Sequence, residues 1–127
     1  MTQPALSFRG VHHVSINVND VAESIGFYRD VLELEPLARP PFDFAGAWFG
    51  LGDQQLHLIE APDFVAPVGQ HFALFVDDID ATIDVLEGRG VSVSKVTEVP
   101  DVCRQAFLAD PTGNAIELNQ PLAAGST

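Results

Sequence analysis

The sequence predicts an α+β fold in which two β-α-β-β-β modules share one core. The main ground is an internal repeat: the stretch His13 to Asp20 (His-Val-Ser-Ile-Asn-Val-Asn-Asp) returns as His71 to Asp78 (His-Phe-Ala-Leu-Phe-Val-Asp-Asp), a period of about 60 residues. The end of each half repeats as well, with His57 in Leu-His-Leu-Ile answered by Glu117 in Ile-Glu-Leu-Asn. The remaining ground is length. A chain of 127 residues is one domain, and a half of about 60 residues buries too little surface to be comfortable alone, so the halves must pack together. The expected domain covers residues 10–121, with modules at 10–60 and 70–120.

Each element follows from a local signal. Residues 1–10 are a weakly apolar lead-in, expected to be frayed. From Val11 to Val18 apolar and polar residues alternate, which predicts a strand. Asp20-Val-Ala-Glu23 has the form of a capping box, and Val21, Ile25, Tyr28 and Leu32 form the apolar stripe of the helix it starts. Leu34 to Ala38 is a short edge strand stopped by Pro40 and Pro41. An aromatic loop, Phe42 to Gly46, leads to a strand at Ala47–Gly50, and the Gly52-Asp53 turn leads to another at Gln54–Glu60. Residues 61–69 hold two prolines and no periodicity, as a linker does. The second half repeats the order: a strand from Gln70 to Val76, a helix from Ile79 to Glu87 capped by Asp78, and strands at Val91–Val96, Arg104–Ala109 and Asn114–Asn119. Asp110-Pro-Thr-Gly113 predicts a type I turn before the last of them.

Composition excludes several roles. With 18 acidic against 6 basic residues the net charge is −12, which repels phosphate backbones and anionic membranes alike. No apolar run nears the roughly 18 residues of a membrane span. Met1 to Gly10 lacks the basic start and hydrophobic core of a signal peptide, so a cytoplasmic location is the expectation. Cys103 is the only cysteine, which rules out an intrachain disulfide and reads as packing. A small molecule and a metal ion are the partners left.

Alternation sorts the chemistry. His13, Ser15 and Asn17 share one face of their strand, opposite Val14, Ile16 and Val18. His57, His71 and Glu117 likewise lie opposite aliphatic residues. If helices cover the aliphatic faces, the polar faces line a shared concavity in which His13, His57, His71 and Glu117 converge, with His12 on the other face as a structural residue. Each of these alone has an ordinary reading as a hydrogen-bonded or solvated side chain. Their coincidence at matching points of a repeat is what indicates a divided metal site. Three imidazoles and a carboxylate suit Zn, Ni, Fe, Mn or Co without choosing among them. Phe42, Phe44, Trp48 and Phe107 supply an apolar wall for a substrate, and Arg39 and Arg104 are the bases nearest it. Tyr28, on the helix stripe, is read as core.

The motifs Val-His-His-Val-Ser-Ile-Asn-Val, Phe-Tyr in the first helix, Gln-His-Phe-Ala-Leu-Phe-Val-Asp-Asp, Asp-Pro-Thr-Gly-Asn and Ile-Glu-Leu resemble the vicinal oxygen chelate superfamily. It includes glyoxalase I, methylmalonyl-CoA epimerase, extradiol dioxygenases, fosfomycin-resistance transferases and bleomycin-resistance binding proteins. The resemblance spans Gly10 to Gln120. It implies paired modules forming a cupped, mixed and mostly antiparallel sheet, with a divalent metal held by His13, His57, His71 and Glu117. It also implies a homodimer, since modules of short members often pair between chains, and a proton-moving role for Glu117. Two positions depart from glyoxalase I: His57 replaces a carboxylate or amide, and Asn17 stands where bacterial glyoxalase I has an arginine for glutathione. Dioxygenases and fosfomycin transferases use two histidines and one glutamate, which His13, His71 and Glu117 would satisfy with His57 as a neighbour or extra ligand.

Three functions follow as expectations. The first is a metal-dependent glyoxalase-like lyase or isomerase for a small oxygenated substrate, with Glu117 as ligand and base. The second is iron-dependent ring cleavage of a catechol held by the aromatic wall. The third is a resistance-type protein that binds a small molecule without turning it over, although bleomycin-type binders generally lack the ligands present here.

Overall fold

A computed structural model describes residues 5–122. Most of the frayed lead-in expected at residues 1–10 can be placed, but its first four residues lie outside the described part.

Two four-stranded mixed sheets make up the molecule. In the first, β1 (His13–Val18) runs parallel to β4 (Gln54–Glu60), β3 (Gly46–Leu51) runs antiparallel to β4, and β2 (Glu35–Leu37) forms the outer edge. The second repeats this with β5 (His71–Phe75), β8 (Ala115–Pro121), β7 (Cys103–Ala109) and β6 (Thr97–Val99) in the same order and senses. Each module thus places its first and last strands side by side. Gly46 is required on β3, because a Cβ there would collide with the Leu58 carbonyl on β4.

The helices start as their caps dictate. Asp20 accepts from the Glu23 amide at 3.0 Å ahead of α1 (Val21–Ile25), and Asp78 accepts from the Ala81 amide at 3.0 Å ahead of α2 (Ile79–Gly88). The first helix does not stay α-helical. From Gly26 to Val31 it widens into a π-helical segment, with the Leu32 amide bonded back to the Phe27 carbonyl. Phe27 and Tyr28 in this segment are both buried, their rings edge to face at 5.1 Å. A second departure concerns the strand expected at Val91–Val96. That stretch is irregular, and the edge strand is β6, a few residues later. Ser94 explains the shift, since its hydroxyl oxygen accepts from the Phe107 amide where a strand would offer a carbonyl, while Val91, Val93 and Val96 still pack on the core. Cys103 is buried, as its packing role requires.

The aliphatic faces of both modules pack in one core, in which Val18, Phe49, Leu56 and Leu58 join Ile79, Leu86, Ile116 and Leu118. Polar bonds fasten the halves. The Tyr28 hydroxyl donates to Asp110 Oδ2 at 2.7 Å, Asn114 Nδ2 donates to the Asn17 carbonyl at 2.8 Å, and Arg89 donates to the Val31 carbonyl at 2.8 Å. Asp110 is well placed for this because its Oδ1 also accepts the Thr112 and Asn114 amides of the predicted turn. Among the described residues no helix is long and apolar enough to cross a membrane.

Candidate metal centre

With the aliphatic faces turned inward, the polar faces look outward, and each carries one pair of candidate ligands. On the second module, His71 begins β5 and Glu117 lies on the neighbouring β8, where the parallel register sets Ala73 beside Glu117. His71 Nδ1 is 2.9 Å from the Gly69 carbonyl. A carbonyl only accepts, so Nδ1 carries the proton and Nε2 of a neutral ring presents its lone pair. Nε2 faces Glu117 Oε1 at 3.1 Å. Two acceptors so placed attract only if a proton or a metal cation lies between them. Glu117 is only 7% exposed, and its Oε2 accepts from Asn119 Nδ2 at 2.7 Å. A carboxylate withdrawn from water in this way calls for a positive partner. The pair therefore fits a divalent cation, with the His71 orientation fixed from behind by the backbone. Phe107, opposite Glu117 in the β7–β8 ladder, meets the His71 ring edge to face at 5.3 Å.

On the first module, His13 begins β1 and His57 lies on β4. Their rings stack at 4.1 Å, and Trp48, opposite His57 across the β3–β4 ladder, stacks on its other face at 4.2 Å. His57 Nε2 is 2.8 Å from Gln55 Oε1, which accepts its proton. The imidazole is thus clamped between two rings with one nitrogen already used. Burial, and then the neighbouring His13, His12 and Arg39, hold its pKa below the ordinary 6.5, so it is neutral at pH 7. His13 is exposed, and its Nδ1 lies 2.9 Å from His12 Nδ1.

A cleft of roughly 570 Å³ opens beside this pair, with Arg39, Phe42, Phe44 and Trp48 on its wall. His12 also lines it, contrary to the expectation that it occupies the opposite face. The reason is that β1 begins at His13, so strand alternation does not reach residue 12. Arg104 is elsewhere. It shares a face of β7 with the buried Ala106 and Leu108, and its guanidinium grips both oxygens of Asp80 on α2 at 2.9 and 3.1 Å. The strand parity that places Phe107 on the site face places Arg104 on the helix side. Phe107 belongs with His71, so the expected aromatic wall is divided between the modules. Asn17 is half-buried, and its carbonyl takes the Asn114 bond.

The convergence of all four ligands within one chain is not found. Among the described residues no three His, Cys, Asp or Glu side chains of the chain are grouped to hold one ion. Alternation fixes the face a side chain occupies and says nothing of how two sheets face one another; here Ser15 of β1 and His71 of β5 line one small pocket, but the two ligand pairs are not brought together. Phe75 shares the β5 face with His71 and is 88% exposed, an apolar residue out of place against bulk water. Sequence reasoning also missed the polar partners Gln55 and Asn119. Each stands two residues from its candidate ligand on the same strand, a spacing that places them side by side.

The sequence profile of the Glyoxalase/Bleomycin resistance protein/Dioxygenase superfamily matches residues 10–118. A probable lactoylglutathione lyase from Vibrio parahaemolyticus is 32% identical over 131 residues, covering 89% of this chain and 93% of its own. Among solved structures, a glyoxalase family protein from Bacillus anthracis superposes with a TM-score of 0.86 at 25% identity, covering 94% of this chain and all of its own (100%). TnmS3, an antibiotic binding protein from Streptomyces sp. CB03234, does so with a TM-score of 0.75 at 30% identity, covering 94% and 100%.

Proposed function

Since the chain belongs to the Glyoxalase/Bleomycin resistance protein/Dioxygenase superfamily, we propose that it is a metal-dependent, glyoxalase-like lyase or isomerase acting on a small oxygenated substrate. The observation that carries this reading is the His71–Glu117 pair, an imidazole nitrogen and a buried carboxylate oxygen 3.1 Å apart, the separation of two neighbouring ligands on one cation. His13 from the first module of a second copy completes the ligand set in a homodimer, which the outward-facing pairs and the exposed Phe75 support. His57, neutral and clamped by Trp48 and Gln55, serves as the wall beside the metal. A two-histidine, one-carboxylate set leaves coordination positions for substrate oxygens.

The cation supplies Lewis acidity, stabilising negative charge that develops on a substrate oxygen. The chain supplies the rest. Asn119 holds Glu117 Oε2 at 2.7 Å, which fixes the orientation of the carboxylate that exchanges a proton with the substrate. Gly69 keeps His71 in one tautomer, and the Phe107 ring packs edge to face against its imidazole.

Elemental analysis of purified protein, sedimentation, and NMR detection of solvent deuterium entering small 2-oxo and 2-hydroxy compounds test the reading together. One divalent metal per chain, a dimer and exchange at the carbon beside the carbonyl are expected; a protein without stoichiometric metal would refute the enzyme. A ring-cleaving dioxygenase is the second reading, favoured by the two-histidine, one-glutamate set and the aromatic cleft. Bound iron and oxygen uptake with catechol would select it. The likeness to TnmS3 supports capture without turnover, which metal-free protein that binds ligand would establish.

A further inference from the structure

In a chain of net charge −12, arginines are expected to find acids, and most of those in view do. Arg29 pairs with Asp30, Arg89 with Glu33 and Arg104 with Asp80. Arg39 pairs with no carboxylate among the described residues. It is half-buried on the wall of the cleft beside His13 and His57, its guanidinium 4.9 Å from the ring centroids of both Phe42 and Phe44. One bond, from Nη2 to the Phe44 carbonyl at 2.8 Å, anchors it. A guanidinium carries five N–H donors, so most of them remain. Gly46 gives the guanidinium room, because Nη2 is only 3.0 Å from where a Cβ at that position would stand.

The rings around it are unusual too. Phe42 and Phe44 stack on one another at 5.1 Å yet are 46% and 44% exposed, and Phe42 leans toward Trp48 at 6.1 Å. Aromatic surface left open next to a cation without an acid has the chemistry of a receptor for a ring that carries negative charge: the rings take the apolar body and the guanidinium forks the anion. Asn17, where a bacterial glyoxalase I would place an arginine for glutathione, lies outside this cleft.

We propose that the cleft of Arg39, Phe42, Phe44 and Trp48 binds the carboxylate and aromatic ring of an aryl-substituted carboxylic acid, making that class the substrate of the adjoining metal centre. The second half of this statement rests on the metal-centre reading; the first does not.

The subsite is tested without the metal. Calorimetric titration of EDTA-treated protein uses trans-cinnamate, its neutral isostere cinnamamide, and crotonate, which keeps the carboxylate and lacks the ring. Cinnamate is expected to bind at least about tenfold more tightly than either. Arg39→Met is expected to bring cinnamate to the level of the amide and leave the amide unchanged, Arg39→Lys to retain part of the preference, and Trp48→Leu to weaken cinnamate and amide alike. Equal binding of cinnamate and its amide to the wild type, or an undiminished preference in Arg39→Met, overturns the proposal. Metal analysis of the untreated protein separates the two readings. Stoichiometric metal without cinnamate binding overturns the subsite alone; cinnamate binding without metal supports the subsite and sinks only the enzyme.

Discussion

Replacing Tyr28 with Phe isolates one hydroxyl at the join of the two modules. The ring is fully buried at 0% exposure, and the hydroxyl donates to Asp110 Oδ2 at 2.7 Å, on the far side of the internal repeat. A hydrogen bond to a charged group contributes about 1.5–3 kcal/mol. The lower part of that range applies, because Asp110 Oδ2 keeps the Asn114 Nδ2 bond at 3.0 Å and Oδ1 keeps two amides, so no acceptor is orphaned. With a urea m-value of about 2 kcal/mol per molar, a loss of about 1.5–2 kcal/mol lowers the midpoint by roughly 1 M. Urea unfolding at one fixed protein concentration measures it, and the variant is expected to keep one transition, full metal content and unaltered ligand binding. An unchanged midpoint would show that the bond does not couple the modules, and lost metal at full stability would make Tyr28 part of the site. The residue also reports on itself, being the only tyrosine. Burial first, then the charge of Asp110 and its hydrogen bond, push the phenol far above its ordinary 10.0. A group raised in the folded state contributes stability below its unfolded pKa and loses it as pH climbs beyond. Phenolate absorbance should therefore appear above pH 10 only together with unfolding.

His71→Ala is expected to lose metal and proton exchange while staying folded, since the exposed ring adds little to the core; full metal content by elemental analysis would refute its assignment. His57→Phe keeps the stack between Trp48 and His13 and should retain one metal per chain, whereas loss of metal would make His57 a ligand. His12→Phe removes the group 2.9 Å from His13 Nδ1; metal affinity, read by competition with a chelator, should fall by about 10–100-fold. His12→Asn, which restores a polar partner, should recover part of it.

What the sequence disclosed and what it withheld follow from the reach of each signal. Period and alternation are local, so the repeat, the two caps, the Asp110 turn and the facing of His13, His57, His71 and Glu117 were all legible. The π-helical widening at Gly26–Val31 was not, because the apolar stripe from Val21 to Leu32 satisfies an ordinary helical spacing. Nor was the shift of the edge strand from Val91–Val96 to Thr97–Val99, which depends on a serine hydroxyl replacing a ladder carbonyl. Arg104 shows the same limit at the site: proximity to Phe107 in sequence suggested the cleft, and the strand's parity delivered it to Asp80. The mutual arrangement of the two ligand pairs lies further out still, being set by how helices and sheets of different halves pack.

The repeat also shows how equivalent positions have come to differ. By register, Trp48 stands to His57 as Phe107 stands to Glu117, whereas the amide neighbours are not counterparts: Gln55 lies two residues before His57 and Asn119 two residues after Glu117. The amide side chains act in opposite senses. Gln55 accepts the His57 proton and clamps that ring, which suits a wall; Asn119 donates to Glu117 Oε2 and fixes the carboxylate, which suits a ligand and base. Exchanging the two chemistries separates the roles. Glu117→His should leave a cleft that still binds an aryl acid but exchanges no protons, because the one carboxylate of the pair is gone. If proton exchange survived that change, the base would have to be a residue other than Glu117, and the division of labour argued for the two modules would fail.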